Sequence, residues 1–101
     1  MFGGGIGISN NSNPTITFCT ISGNTAYCGA GLYINNSYPT IENVSITQNV
    51  SYHDEGNGGG ISILNSWDPE ESDTYPTIIS NVTINGNHAE AGAGISINPI
   101  L

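Results

Sequence analysis

Four carboxylates lie close together in the sequence, at Asp68, Glu70, Glu71 and Asp73. Hard cations such as Ca²⁺ bind clustered carboxylate and carbonyl oxygens, so these residues are the candidate metal ligands. Their spacing does not match the calcium-loop pattern with its obligatory glycine. The alternative is a solvated acidic loop. The sequence therefore predicts either no cofactor or a calcium ion held by these four side chains.

The remaining titratable residues do not form a catalytic pattern. His53 stands beside Asp54 and Glu55, which is a pairing suited to acid–base chemistry, but no nucleophile accompanies it. Glycoside hydrolysis needs two carboxylates on either side of a sugar bond. The chain has carboxylates but no groove-lining pattern on its predicted strands. We expect a protein that is not an enzyme.

Aromatic residues and cysteines allow two further interpretations. Tyr52, Trp67 and Tyr75 could form a surface on which sugar rings stack, or they could cover the side of the fold or a partner. Cys19 and Cys28 are two cysteines without histidine neighbours, so they do not form a zinc site. A disulfide between them and a buried, apolar Cys19 thiol are both open alternatives.

Asparagine is abundant, and two sets of asparagines recur at equivalent positions of a repeat. Asn24, Asn49 and Asn87 form one set, and Asn43 and Asn81 form the other. Stacked amide side chains can hydrogen-bond along a column, which predicts a structural role. Five asparagines also fit the N-glycan acceptor pattern Asn-x-Ser/Thr, namely Asn10, Asn35, Asn43, Asn49 and Asn81.

The charge composition excludes two classes of partner. The chain of 101 residues has no Lys or Arg and eight acidic residues, which gives a formal net charge of -8. Phosphate backbones and anionic lipid surfaces are bound mainly through basic side chains, so we expect no nucleic-acid partner. No apolar run is long enough for a membrane-spanning helix, so we expect no membrane insertion.

A repeated motif organises the chain into one domain over residues 1–101. The segment Gly58–Ile63 is a run of small residues followed by an apolar–x–apolar triplet, and it has counterparts elsewhere. The repeats begin near residues 5, 31, 60 and 94. Two insertions, at 50–57 and 65–75, interrupt the period and contain six of the eight acidic residues.

Each repeat contains three short strands of period two and no segment of helical periodicity. Such units bury their apolar residues only as a coil, in which each strand pairs in parallel with its equivalent one turn later. We call one turn a rung. The chain is predicted to be all-β, with three to four rungs and three short strands in each. The predicted inward columns are Ile6/Leu32/Ile61/Ile95, Ile8/Ile34/Ile63/Ile97, Ile16/Ile41/Ile78, Cys19/Val44/Val82 and Ile21/Ile46/Ile84.

Three segments carry a resemblance to a known family: Gly58–Ile63, Asn36–Ile41 (Asn-Ser-x-Pro-Thr-Ile) and Val44–Ile46 with Asn49. They resemble the right-handed parallel β-helix repeats of secreted bacterial surface proteins and, more loosely, those of polymorphic outer-membrane adhesins. The resemblance implies a right-handed solenoid in an extracellular or cell-surface location. The β-helix pectate lyases of this fold use calcium and a basic residue as proton acceptor, and this chain has no Lys or Arg.

The two ends of the chain are apolar and in the same phase of the repeat. This pattern predicts a homopolymer in which copies stack head-to-tail as a filament or surface fibre, coated with glycan in one version. Ile95 and Ile97 would then lie under Ile6 and Ile8 of the next copy, or a first strand would continue the column after a partial turn. An adhesin-type module that binds glycans or cations, cut from a longer β-helix, is the alternative, and a carbohydrate-active enzyme is less favoured. The predicted assembly residues are Ile6, Ile8, Ile95, Ile97, Ile100 and Leu101.

Overall fold

The computed structural model describes residues 3–52, 58–64 and 77–97, and in these ranges the regular structure consists of short β-strands. Every strand pairing recorded in these ranges is parallel, as a coil requires. In chain order the strands are β1 (Ile6–Ile8), β2 (Thr15–Thr17), β3 (Thr20–Ser22), β4 (Thr25–Ala26), β5 (Leu32–Asn35), β6 (Thr40–Thr47), β7 (Val50–Ser51), β8 (Ile61–Leu64), β9 (Ile78–Asn85) and β10 (Ile95–Ile97).

The strands form three sheets, and each turn of the chain visits the sheets in the same order. Sheet 1 has the strand order β1-β5-β8-β10. In sheet 2, β2 and β3 pair with β6, and β6 pairs with β9 on its other edge. Sheet 3 consists of β4 and β7, and a parallel bridge from Val50 to His88 extends it by one level. The architecture is therefore the predicted parallel β-helix.

The core consists of the stacked inward residues of sheets 1 and 2. Ile6 pairs with Leu32, Leu32 with Ile61, and Ile61 with Ile95, so the first predicted column is confirmed. Parallel in-register pairing places equivalent residues above one another, and this stacking shields the middle of each column from water. The buried apolar cluster is Ile8, Ile21, Leu32, Ile34, Ile41, Val44, Ile46, Ile61 and Ile63.

Glycine at the start of each rung permits the close stacking of sheet 1. A Cβ atom on Gly5 would lie 2.6 Å from the carbonyl oxygen of Gly31, and one on Gly31 would lie 2.5 Å from that of Gly60. These distances are too short for any real Cβ atom. The glycine column is thus required by the approach of successive rungs.

Two predicted inward positions are wrong. Thr40 pairs with Ile78 and Ile41 with Ile79, so Ile79 rather than Ile78 continues the Ile16/Ile41 column. The sequence has one residue more between Ile78 and Asn81 than between Ile41 and Asn43, and the strands align on the asparagines.

Cys19 was expected in a buried column, but it is exposed. It lies on the first rung, where the described residues provide no layer beneath it, and its Sγ donates a hydrogen bond to the carbonyl of Thr17 at 2.9 Å. Val44, its counterpart one rung above, is buried. The position of a residue in the stack therefore decides whether it is buried.

The predicted three strands per rung are distributed differently over the sheets. In the second and third rungs, the second and third predicted strands are one continuous strand, β6 or β9, which belongs to a single sheet. Each passes through an asparagine in the left-handed region, Asn43 at φ 56° and Asn81 at φ 50°. The third sheet is instead formed by β4 and β7, and β7 lies at the start of the segment 50–57 that was predicted to be an insertion.

Candidate functional site at the ends of the coil

The upper end of the coil, formed by β9 and β10, exposes isoleucine side chains. Ile97 is 67 % exposed and Ile95 is 39 % exposed, whereas their partners in β8, Ile63 and Ile61, are buried. On β9, Ile78 and Ile79 are also exposed. In the rung below, the partner of Ile79 is the buried Ile41, whereas the partner of Ile78 is Thr40. The upper end is therefore a core layer with water on one side.

The lower end, formed by β1 and β2, carries a recess of about 430 Å³. Its apolar lining includes Ile6, Ile8, Pro14 and Ile16, together with polar residues of the turn between β1 and β2. Ile8 is buried, whereas Ile6 and Ile16 are half-buried. The structure thus places four of the predicted assembly residues in the outermost layers, Ile6 and Ile8 at the lower end and Ile95 and Ile97 at the upper end.

An asparagine ladder runs through the coil from the lower to the upper end, at the turn between sheets 2 and 3. The backbone N–H and Nδ2 of Asn24 both donate to Oδ1 of Asn49, each at 3.0 Å. The same two groups of Asn49 donate to Oδ1 of Asn87, each at 2.9 Å. The predicted amide column is confirmed.

Each ladder step is also tied to the rung below. Nδ2 of Asn49 donates to the carbonyl of Ile21 at 3.1 Å, and Nδ2 of Asn87 donates to the carbonyl of Ile46 at 2.9 Å. Because a backbone N–H can only donate, every Oδ1 must face the rung beneath it. The bonds between asparagines are therefore directional: the backbone N–H and one Nδ2 hydrogen donate toward the upper end, and Oδ1 accepts from the lower end.

The second predicted amide column is confined to two rungs. Nδ2 of Asn81 donates to Oδ1 of Asn43 on the outer surface. On the first rung, the equivalent residue is Phe18, which has φ 52° and a side chain that is 81 % exposed. An aromatic residue in the left-handed region is unfavourable, so this is a locally strained position.

The five glycan-acceptor candidates differ in accessibility. Asn10 and Asn81 are exposed, and Asn35 and Asn43 are half-buried. Asn49 is fully buried, and its Nδ2 already donates two hydrogen bonds within the ladder. An N-glycan is attached to Nδ2, so the folded chain cannot carry one at Asn49, and this prediction is corrected.

An aromatic group lies on the side of the coil near the first turns. The rings of Tyr27 and Tyr52 meet edge to face, with centroids 6.4 Å apart, and Tyr52 is exposed. Burial raises the pKa of Tyr33, and the nearby Cys28 raises it further. Cys19 and Cys28 are both free thiols in the structure, so the disulfide that the sequence left open is not formed here.

Several predicted site residues lie outside the described ranges. These are the acidic residues Asp68, Glu70, Glu71 and Asp73, the aromatic residues Trp67 and Tyr75, the group His53, Asp54 and Glu55, and the assembly residues Ile100 and Leu101. Within the described ranges, no three His, Cys, Asp or Glu residues are grouped closely enough to hold a metal ion. None of the residues described there belongs to a helix long and apolar enough to cross a membrane.

Gly94 lies at the upper end, where the sequence begins a fourth repeat. A Cβ atom on Gly94 would meet only Cγ2 of Ile84, at 3.6 Å, whereas each equivalent glycine below it faces a carbonyl oxygen. The signal for this difference was present in the sequence, because Gly94 is the last copy of a column whose other members are covered.

Comparison with known proteins identifies the family. No curated protein and no solved structure matches the chain closely enough to count as a relative. The family model for the right-handed β-helix region matches residues 1–99. This match agrees with the parallel coil and its glycine and isoleucine columns, and it fixes the hand of the coil. The chain therefore belongs to the right-handed β-helix family.

Proposed function

We propose that this β-helix is a structural protein of an extracellular or cell surface, and that copies of it stack end to end into a fibre. The observation that carries the proposal is the exposure of Ile95 and Ile97 in register with the core column that ends at Ile61 and Ile63. The same triplet at the lower end, Ile6–Ile8, offers a matching layer.

Stacking would remove two unfavourable features of the free ends. Burial of an isoleucine side chain contributes about 1.5–3 kcal/mol, and several are exposed at the upper end. The outer edges of β1 and β10 also present backbone groups that can pair with a further parallel strand. A second copy satisfies both requirements because it carries the same repeat.

The test uses Gly94→Ala, a substitution designed to act only on stacking. In a single copy the added methyl group has room, with its nearest neighbour 3.6 Å away. In a stack it would meet the carbonyl oxygen of the next rung, as the 2.6 Å distance from a Cβ on Gly60 to the oxygen of Gly94 indicates. Gly7→Ala is the matched control, because a Cβ on Gly7 would have no heavy atom within 4 Å.

The expected result is that wild type and Gly7→Ala form fibres, seen by electron microscopy and by sedimentation at rising concentration. Gly94→Ala should stay monomeric with unchanged thermal stability. A wild-type chain that remains a discrete monomer at millimolar concentration contradicts the proposal. Fibres formed equally well by Gly94→Ala also contradict it.

The β-helix fold serves both enzymes and non-enzymes, so the fold leaves catalysis undecided. We propose a non-catalytic role. The lyases of this fold need a basic residue as proton acceptor, and the chain has no Lys or Arg, which argues against lyase chemistry.

A second candidate function is glycan binding by an adhesin-type surface. The exposed Tyr52 ring against Tyr27 favours it, and loss of glycan-array binding in Tyr52→Ala would test it.

A further inference from the structure

The upper end of the coil is a step rather than a flat surface. Sheet 1 has four strand levels, and β10 is the fourth. In the part of the chain that the structure describes, sheet 2 ends at its third level with β9, and sheet 3 ends at the third level with His88. Sheet 1 thus projects one strand beyond the other two sheets.

The lower end has no matching step. The first rung contributes β1 to sheet 1, β2 and β3 to sheet 2, and β4 to sheet 3. If β1 of a second copy were placed directly on β10, one strand level would be empty in sheets 2 and 3. Asn87 and the next Asn24 would then be two strand spacings apart, about 10 Å, which is too far for a hydrogen bond.

We propose that β10 of one copy takes the place of β1 in the next copy, an inference that rests on the stacking function proposed above. The two strands have the same pattern, Gly94-Ile95-Ser96-Ile97 and Gly5-Ile6-Gly7-Ile8. β10 would then pair with β8 of its own chain below and with β5 of the next copy above. In this arrangement β9 meets β2 and β3 of the next copy with no empty level.

β1 is the strand that β10 can replace, because β10 can take over both its pairing with β5 and the buried place of Ile8. It has three residues, its middle residue is glycine, and it pairs on one edge only, with β5. Its replacement by β10 keeps that pairing and fills the position of Gly7 with Ser96. The exchange also buries Ile97, the most exposed of the isoleucines that the structure describes at the upper end, between Ile63 of its own chain and Ile34 of the next copy.

The asparagine ladder continues across the junction in this arrangement. At the upper end, none of the hydrogen bonds of the described residues uses the backbone N–H or the second Nδ2 hydrogen of Asn87, which are the groups that donate upward in Asn49. At the lower end, none of those hydrogen bonds ends on Oδ1 of Asn24. If the junction repeats the contacts within the coil, the N–H and Nδ2 of Asn87 donate to Oδ1 of Asn24 in the next copy. Nδ2 of that Asn24 then donates to the carbonyl of Ile84.

The ladder also sets the polarity of the fibre. The N–H and Nδ2 of Asn87 are donors at the upper end, and Oδ1 of Asn24 is an acceptor at the lower end. Two copies joined by their upper ends would therefore place the donors of Asn87 against each other. Two copies joined by their lower ends would place acceptor against acceptor. Only head-to-tail stacking satisfies both groups, so the fibre is polar.

The axial rise per copy in wild-type fibres, measured by helical reconstruction from cryo-electron micrographs, tests the register. Replacement of β1 by β10 gives three strand spacings per copy, about 14 Å, whereas direct stacking of β1 on β10 gives four, about 19 Å. A rise near 19 Å overturns this register but leaves the stacking function standing. A two-fold axis across the fibre overturns the polarity, and the absence of fibres overturns the stacking function and this register together.

Gly5→Ala gives an independent test. A Cβ on Gly5 would lie 2.6 Å from the carbonyl oxygen of Gly31, so this variant loosens β1 from its own chain. If β10 replaces β1, the critical concentration for fibre formation should fall several-fold. If β1 must stay in place to receive β10, the critical concentration should rise, and that result overturns the proposed replacement.

Discussion

A Cβ atom on Gly60 would lie 2.6 Å from the carbonyl oxygen of Gly94, one rung above it. The same atom would also lie 3.0 Å from Cγ2 of Ile84 and 3.1 Å from Nδ2 of Asn87. Gly60 therefore lies where the strand stacking, the apolar core and the asparagine ladder meet. Gly94 has the same place in the repeat without the layer above it.

This difference predicts opposite effects of the same substitution. Gly60→Ala should lower the free energy of unfolding by about 2–4 kcal/mol, because the rungs must move apart to admit the methyl group. Gly94→Ala should leave stability unchanged or raise it by up to about 1 kcal/mol, because alanine restricts the unfolded chain. Urea denaturation of both variants under monomeric conditions measures this, and equal effects would contradict the glycine-column explanation.

Asn49→Ala should destabilise the fold strongly. Its removal leaves the N–H and Nδ2 of Asn24 without their acceptor. It also removes the Nδ2 donor from the carbonyl of Ile21 and one of the two donors from Oδ1 of Asn87, which keeps the backbone N–H of residue 49. Since unsatisfied buried polar groups cost about 1–3 kcal/mol each, a loss of about 3–5 kcal/mol is expected in chemical denaturation. Asn81→Gly is the matched control, because Asn81 is exposed and glycine keeps its positive φ. A control that loses as much would refute a special role for the ladder.

Phe18→Asn should stabilise the chain by about 1 kcal/mol. Phe18 has φ 52°, a conformation that asparagine adopts at the equivalent positions Asn43 and Asn81 with less strain. The new amide could also extend the outer Asn43–Asn81 contact downward. The urea midpoint of protein made in a host without N-glycosylation measures the change. Phe18→Ala keeps the backbone strain and should give no gain, so a gain in both variants would point to removal of the exposed ring instead.

Stability at alkaline pH should depend on Tyr33. Burial, and secondly Cys28, raise the pKa of Tyr33 in the folded chain above its ordinary value of 10.0. The unfolded chain therefore releases this proton first as pH rises, and the contribution of Tyr33 is complete below the unfolded pKa and lost through the folded pKa. Between about pH 9 and pH 11, the free energy of unfolding of Tyr33→Phe should fall less than that of wild type. Parallel pH profiles would contradict this assignment.

Glycan occupancy should follow accessibility rather than the acceptor pattern. In protein secreted by a host with N-glycosylation, we expect glycans at the exposed Asn10 and Asn81 and none at Asn49 in the folded fraction. A glycan at Asn49 would break the ladder, because its Nδ2 donates to Ile21 and Asn87. Peptide mass spectrometry of the monodisperse fraction measures this, with Asn10→Gly as a control that should lose one glycan without losing stability, because glycine keeps the positive φ of 59° at this position. A glycosylated Asn49 in that fraction would contradict the expectation.

The sequence by itself determined the coil and most of its core. Isoleucine and leucine recur at the first and third positions after each glycine, and parallel in-register pairing converts that recurrence directly into the columns that contain Leu32 and Ile34. The inner asparagine ladder followed for the same reason. A repeat that stacks on itself predicts its own contacts, since each residue meets its counterpart in the next turn.

Only the tertiary structure decided which residues are buried and which residue continues a column, because both depend on the level of a residue in the stack and on the exact strand register. Ile79 rather than Ile78 continues the Ile16/Ile41 column because continuous pairing of β6 with β9 is aligned on Asn43 and Asn81, which a local motif cannot reveal. Cys19 is exposed and Asn49 is buried because one lies in an end layer and the other in the middle layer. The sequence already indicated the step formed by β10, because the repeat that begins near residue 94 contains only a first strand, and the structure added that this strand pairs with β8 as the fourth level of sheet 1.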